Sequence, residues 1–336
     1  MERDGVYRPI LRPRRGELTA LAHLSEEEAA RVEPIVELDP SESILPLLRE
    51  LRPRTGAVAL DFGNLPDSPG EPSVLVAEKL RRMGIGMVPV LRPYESGFRL
   101  KAHGLAARMH LDRAILRLRP HADAGNPAEA DSATERVLRA SELGPENVDL
   151  LIDLAETACA AHADEVVERA RRVLRWARTA SWRSVSVASG AMPPNLDDLP
   201  TDRPVRVGRL DARVWAHLGE PGVGYADYGV TSPVRRLGVQ HHRQLPTLRY
   251  TSSLDWWIYR WARRGGRSDD RCHDLCRTLV TSPQWPSTGA RFSWGDAEIA
   301  RRARTARGAG SSASWIAWGT SHHISHVLTE SVVRLF

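Results

Sequence analysis

Three observations predict a (β/α)8 barrel for this chain. Eight short apolar runs each close on a charged or hydroxyl side chain. They recur roughly 24 to 39 residues apart, the pitch of a strand–helix unit. Stretches with apolar residues at helical spacing fill the intervals. Strict alternation of this kind means parallel strands joined by right-handed crossovers. Eight units favour closure into a barrel over an open doubly wound sheet, the structural runner-up.

The first run is Tyr7-Arg8-Pro9-Ile10-Leu11, closing on Arg12. Glu17 to Arg31 then has Leu18, Leu21, Leu24 and Ala29 near helical spacing, with Ser25 before a glutamate run as a capping signal. Runs ending at Glu37, Asp61 and Arg92 follow, separated by helical stretches over Ser43–Leu51 and Pro72–Met83. Gly84 is a fitting residue just past the second. Runs ending at Arg117, Asp153, Ser189 and Asp227 complete the eight, with helices expected over Leu100–His110, Asn126–Leu143, Thr157–Ala180 and Val207–Leu218. After Tyr228 the pattern changes. Thr247–Thr251 and Trp256–Trp261 read as extended pieces, and helices are expected near 268–281, 295–307 and 322–335, with Gly308–Ser314 as a flexible loop. Seven of the ten tryptophans lie in this last third, so it reads as a Trp-rich, mainly helical subdomain packed on the barrel. The boundary expected is residues 1–231 for the barrel and 232–336 for the subdomain.

Bulk properties narrow the class. A chain of 336 residues with 42% apolar content can bury one barrel and an appendage. No apolar run approaches the length of a membrane span, and Met1-Glu2-Arg3-Asp4 opens without a signal-peptide core. A cytoplasmic protein with no membrane partner is expected. Cys159, Cys272 and Cys276 are too few for a disulfide framework. Cys272-His273-x-x-Cys276 has no second Cys/His pair at structural-zinc spacing. The net charge of +5 rests almost wholly on arginine, Lys79 and Lys101 being the only lysines. Arginine suits bidentate recognition of carboxylate or phosphate.

Period-2 counting locates the chemistry. It pairs Ile10 with Arg12, Ile35 with Glu37, Ala59 with Asp61, Val90 with Arg92, Ile115 with Arg117, Leu151 with Asp153, Val187 with Ser189 and Tyr225 with Asp227. Each pair sets a polar residue one layer above an apolar one, at the end where barrel enzymes keep their sites. Glu37, Asp61, Asp153 and Asp227 can hold Mg²⁺ or Mn²⁺ or act as general base, while Arg12, Arg92 and Arg117 bind a phosphate-bearing small molecule or nucleic acid. The reaction class expected is metal-assisted phosphoester or phosphodiester hydrolysis. Charges at strand ends also serve as structural ion pairs, and that reading stands beside the functional one. His322 and His326 fall on one face of a helix expected to start near Ser321, so His322 or His323 would close the site. His241-His242 reads as surface. Without a Gly-rich phosphate loop, a nucleophile elbow or HExxH, no organic cofactor is indicated.

The motif Y-x-P-I-L-R-x-R-x-G-E-L-x-A-L at Tyr7–Leu21, followed by Pro34-Ile-Val-Glu37, resembles the opening of the beta protein family, named for a phage protein and with many bacterial members. Gly224-Tyr-Ala-Asp227-Tyr-Gly, Leu248-Arg-Tyr-Thr251, Phe292-Ser-Trp-Gly-Asp296 and Trp318-Gly-Thr-Ser-His-His-Ile324 are similar to later family signatures. Arg14-Arg15 stand where the family pattern has a lysine before Gly16-Glu17. The resemblance implies a role in phage–host conflict and singles out Arg12, Gly16, Glu17, Glu37, Asp227, His322 and His323. It fixes no reaction. The alternative function is a non-catalytic binding or sensor component of a defence locus, with the barrel recognising a nucleic acid or a protein encoded nearby.

Overall fold

The short run Arg8-Pro9-Ile10-Leu11 (β1), buried along its length, pairs in parallel with Ile35–Glu37 (β2), and the same relation carries round the molecule. In the computed structural model, which describes residues 6–40, 57–67, 72–120, 126–157, 163–234, 245–262, 268–305 and 310–329, the strands close into a barrel. The order after β2 is Ala57–Asp61 (β3), Gly86–Leu91 (β4), Ala114–Leu118 (β5), Val148–Glu156 (β6) and Ser184–Gly190 (β7). Val223–Asp227 (β9) closes it, pairing in parallel with β7 on one side and β1 on the other. The predicted eight-stranded parallel barrel is thus the fold.

Helices cover the outside. Arg15–Ala22 (α1) and Glu26–Arg31 (α2) replace the single expected helix, split where Ser25 forms a capping box with Glu28. Such a cap contributes about 1 kcal/mol. Pro72–Arg82 (α3), Gly97–Arg108 (α4), Pro127–Ser141 (α5) and Ala163–Ala177 (α6) follow their strands. The helix expected over Ser43–Leu51 lies outside the described residues, as do Cys159 and His241-His242.

Two elements differ from expectation. Arg203–Gly208 is a strand (β8), and the helix expected from Val207 runs only over Leu210–Leu218 (α7). Arg203-Pro-Val-Arg-Val-Gly has the alternation of an edge strand, and its antiparallel partner, Asp255–Arg260 (β11), lies about 50 residues ahead. With Thr247–Ser252 (β10) these form a three-stranded sheet in the order β10-β11-β8. The C-terminal part is mainly helical, as expected, with helices Ser268–Val280 (α8), Trp294–Arg304 (α9) and Ser312–Thr329 (α10) beside the two expected extended pieces. Ser321 is not an N-cap: α10 begins at Ser312, nine residues earlier, and His322, His323 and His326 sit well inside it. Gly319 marks a close packing point there, since a Cβ would stand 2.6 Å from the Arg249 carbonyl oxygen.

The core has distinct parts. Ile10, Ile35, Ala59, Val90, Ile115, Leu151, Ala188 and Ala226 fill the barrel interior, and a larger aliphatic layer lies between barrel and helices. Tyr250, Tyr259, Trp261, Trp315 and Trp318 form a separate aromatic core with the buried cysteines Cys272 and Cys276. Within it Tyr250 stacks on Trp285 and Tyr259 on Trp261. Among the described residues no helix is long and apolar enough to cross a membrane.

Candidate functional site at the barrel mouth

Five neighbouring strands, β2 to β6, deliver a charge to the same place. Ile35, Ala59, Val90, Ile115 and Leu151 face the interior, so Glu37, Asp61, Arg92, Arg117 and Asp153, two residues on, form the next layer toward the C-terminal mouth. Arg117 is the hub. Its Nη1 donates to Asp61 Oδ2 at 2.7 Å and to Glu37 Oε1 at 2.8 Å; its Nε donates to Asp153 Oδ2 at 2.9 Å. Nη2 reaches the Tyr228 hydroxyl at 2.7 Å, and that hydroxyl donates to Asp153 at 2.8 Å. Arg92 donates to Asp61 Oδ2 twice, from Nη2 at 2.6 Å and from Nε at 3.1 Å. Arg119 Nε adds a bond to Asp153 at 2.9 Å.

This lattice is dry: Asp61, Arg117 and Asp153 are fully buried and Arg92 is 2% exposed. Burial alone would raise the carboxyl pKa values. The Arg92 and Arg117 guanidiniums outweigh it at Asp61, and Arg117 and Arg119 outweigh it at Asp153, so both stay well below the usual carboxylate range. Two backbone amides assist, Gly63 N–H to Asp61 at 3.0 Å and Ala155 N–H to Asp153 at 2.9 Å. Ala155 takes a left-handed φ of 54° at a register shift in β6, so the chain spends backbone strain at this point.

Chemically, Asp61 and Asp153 remain anions at neutral pH, far from the pKa a general acid or base requires. A Mg²⁺ or Mn²⁺ shared by Glu37, Asp61 and Asp153 would have to displace the Arg117 guanidinium, which already stands among their oxygens. As arranged, these residues do not fit a resident divalent ion. One group is left over. Arg92 Nη1 is buried with no hydrogen-bond partner among the described residues. Tyr94, 58% exposed, sets its ring 5.9 Å from that guanidinium.

The other expected site residues lie elsewhere. In β7 and β9 the phase is the reverse of the counting: Ala188, Ala226 and Tyr228 face inward, while Val187 and Tyr225 join the outer layer. Ser189 and Asp227 therefore point out of the barrel. Asp227 accepts from Tyr7 at 2.6 Å, Tyr225 at 2.9 Å and the Gly229 amide at 2.9 Å, and lies 2.8 Å from His323 Nε2. Burial holds His323 below its ordinary pKa against the pull of Asp227, so a neutral ring donates from Nε2 and accepts the Thr251 hydroxyl at Nδ1. His322 bridges Asp296 and the Thr251 carbonyl at 2.9 and 2.8 Å. These two histidines fasten α10 to the barrel wall and to β10. Arg12 turns away from the lattice to the carbonyls of Ser232 and Val234, at 2.8 and 3.1 Å. Glu17 is buried in α1, with Oε1 3.4 Å from Thr231 Oγ1.

Sequence reasoning missed Arg119, Tyr228 and Tyr94 at the mouth. It also missed a second ionic layer at the opposite end, where Arg8 and Arg113 bond Glu33, and Arg113 and Arg183 bond Asp149. Both lay within reach of the same period: Arg119 is two beyond Arg117, and Arg8, Glu33, Arg113 and Asp149 are each two before an interior apolar residue.

Comparison with known proteins adds a family. The model of the family described as Beta protein matches residues 7–329. No curated protein matches the chain. Among solved structures, the biosynthetic arginine decarboxylase from Campylobacter jejuni is similar at 13% identity and a TM-score of 0.43; the match covers 99% of this chain and 56% of that one. The chain thus spans little more than half the length of that enzyme.

Proposed function

We propose, since the chain belongs to the Beta protein family, that its barrel mouth recognises a phosphate-bearing ligand, a nucleotide or nucleic acid, without breaking a bond in it. The observation that carries this reading is Arg92: a buried guanidinium N–H lacks an acceptor beside the exposed ring of Tyr94. An unsatisfied buried donor costs about 1–3 kcal/mol, and a phosphate oxygen is a strong acceptor for it. An exposed tyrosine next to a cation offers a face on which a base can stack. Against hydrolysis stand the carboxylates, which are locked as anions to guanidiniums.

Melting temperature with ATP and with short single-stranded oligonucleotides tests this, with and without Mg²⁺ or Mn²⁺. Stabilisation that needs no divalent ion, and that Tyr94→Ala weakens about 5- to 100-fold in Kd, is the expected result. Cation-dependent hydrolysis of bis(p-nitrophenyl) phosphate would instead establish the metal-assisted phosphoesterase. The setting we propose is phage–host conflict, supported by the family resemblance. Plaque counts on hosts expressing the chain or its Tyr94→Ala variant measure it.

A further inference from the structure

Behind the barrel wall lies a second buried network that the mouth does not use. Its centre is the Tyr225 hydroxyl on β9. Arg209 Nη2 donates to that oxygen at 2.9 Å, while Asp227 Oδ2 stands 2.9 Å and Asp211 Oδ2 3.1 Å from it. All four side chains are buried. A phenol has one proton, so Tyr225 can donate to only one of the two carboxylates. Asp227 is well supplied: Tyr7 and the Gly229 amide donate to its Oδ1, and His323 Nε2 donates to its Oδ2 at 2.8 Å. With Tyr225 that makes four donors on two oxygens, which suits an anion and leaves no lone pair for a metal ion. Asp211 is the opposite case. Its Oδ1 has no hydrogen-bond partner among the described residues, and Arg209 Nη2 is 3.8 Å from its Oδ2, beyond hydrogen-bond range.

We infer that Asp211 is held as a neutral acid whose Oδ2 proton is donated to the Tyr225 oxygen, and that this proton latches the start of α7 to the barrel wall. The centre is then matched throughout: Tyr225 donates to Asp227 and accepts from Arg209 and Asp211. Charge balances as well. The groups around Asp211 are Tyr7 before β1, Tyr225 and Asp227 on β9, His323 on α10 and Arg209 at the start of α7. Of these only Arg209 and Asp227 are charged, one against the other, since burial keeps His323 and the two tyrosines neutral. Loss of the Asp211 proton would set lone pair against lone pair at 3.1 Å and leave two buried anions on one guanidinium. Burial raises the Asp211 pKa to about 6 against Arg209, and the Asp227 charge raises it further. The fold therefore favours the protonated acid. That contribution is complete below the unfolded carboxylate value of about 4 and is lost as pH climbs through about 6. The latch is placed to loosen the C-terminal sheet. Asp211 lies in the first turn of α7, just after β8, and the Arg209 amide bonds the Leu254 carbonyl between β10 and β11 at 2.9 Å.

The test is amide hydrogen exchange of the full chain, read over Leu210–Leu218 and compared at equal pH between the wild type and Asp211→Asn. The asparagine amide donates to Tyr225 at every pH and keeps the latch shut. At about pH 5 the two proteins should exchange alike; at about pH 8 the wild type should exchange about tenfold or more faster, each pH unit above the folded pKa raising the ionised-to-neutral ratio about tenfold. Difference infrared spectra report the proton directly: a protonated-carboxyl band of the wild type at about pH 5 should be absent from the variant. Should Asp211→Asn fail to fold, Asp211→Ala takes its place, with the same loss of the band and no pH step in exchange. Equal exchange of wild type and variant at the higher pH, or an infrared band that the substitution leaves unchanged, overturns the latch.

Discussion

At the residue scale, Arg117 sets the electrostatics of the barrel. Three carboxylates lean on one guanidinium, so removing it leaves buried like charges facing each other. Arg117→Met is expected to cost about 3–5 kcal/mol in urea unfolding, against near-neutral effects for exposed pairs such as Glu165–Arg169. Glu17 predicts an opposite pH response. Its pKa rises from 4.5 to about 7 in the fold, so the folded state favours the protonated form. That benefit is complete below the unfolded value and disappears as pH climbs through the folded one. Wild-type stability should therefore fall by roughly 3 kcal/mol between about pH 5 and pH 8 from this group, and Glu17→Gln should flatten the profile. The sequence made Arg92, Arg117, Asp61, Asp153 and Glu37 legible because each stands two residues past an interior aliphatic. It could not reveal that Arg117 would take the cation's place, since guanidinium and metal ask for the same ring of carboxylates.

At the scale of elements, glycines record where helices touch. A Cβ on Gly104 of α4 would stand 1.9 Å from the Ser141 carbonyl of α5, and one on Gly295 of α9 would stand 2.2 Å from the Trp318 carbonyl of α10. Both contacts are to backbone, which cannot swing aside. Gly104→Ala and Gly295→Ala are each expected to destabilise by about 1–3 kcal/mol, read as a lowered Tm with the barrel site unaltered. The elements also show where pattern failed. β7 and β9 carry the same apolar–polar alternation as their neighbours, yet their polar ends face outward. Alternation gives the period and not the phase, and here α10 buries the outer face as deeply as the interior, so Asp227 is 0% exposed on the wrong side. β8 escaped because its identity depends on β11, a partner distant in sequence.

At the scale of the whole molecule, contacts join the chain before residue 231 to the chain after it. β8 leaves the barrel half to pair with β11, α1 packs on α10, and His323 bonds Asp227. A single cooperative thermal transition is expected, with coincident near- and far-ultraviolet melting; two resolved steps would mean independent domains. Acid should end that cooperativity abruptly. Asp61 and Asp153 are held below their unfolded pKa values, so their stabilisation exists above about pH 4 and is lost as pH falls beneath it. The contact between α1 and α10 has a consequence for how the protein is made. One partner, Arg15–Ala22, leaves the ribosome long before the other, Ser312–Thr329. At ~5–20 residues per second, roughly 15–60 s separate them. Through that interval the nascent chain carries the Gly16 face of α1 uncovered, and β8 waits without its partner β11. Translation speed, and whatever chaperone shields those surfaces, thereby becomes part of this protein's folding.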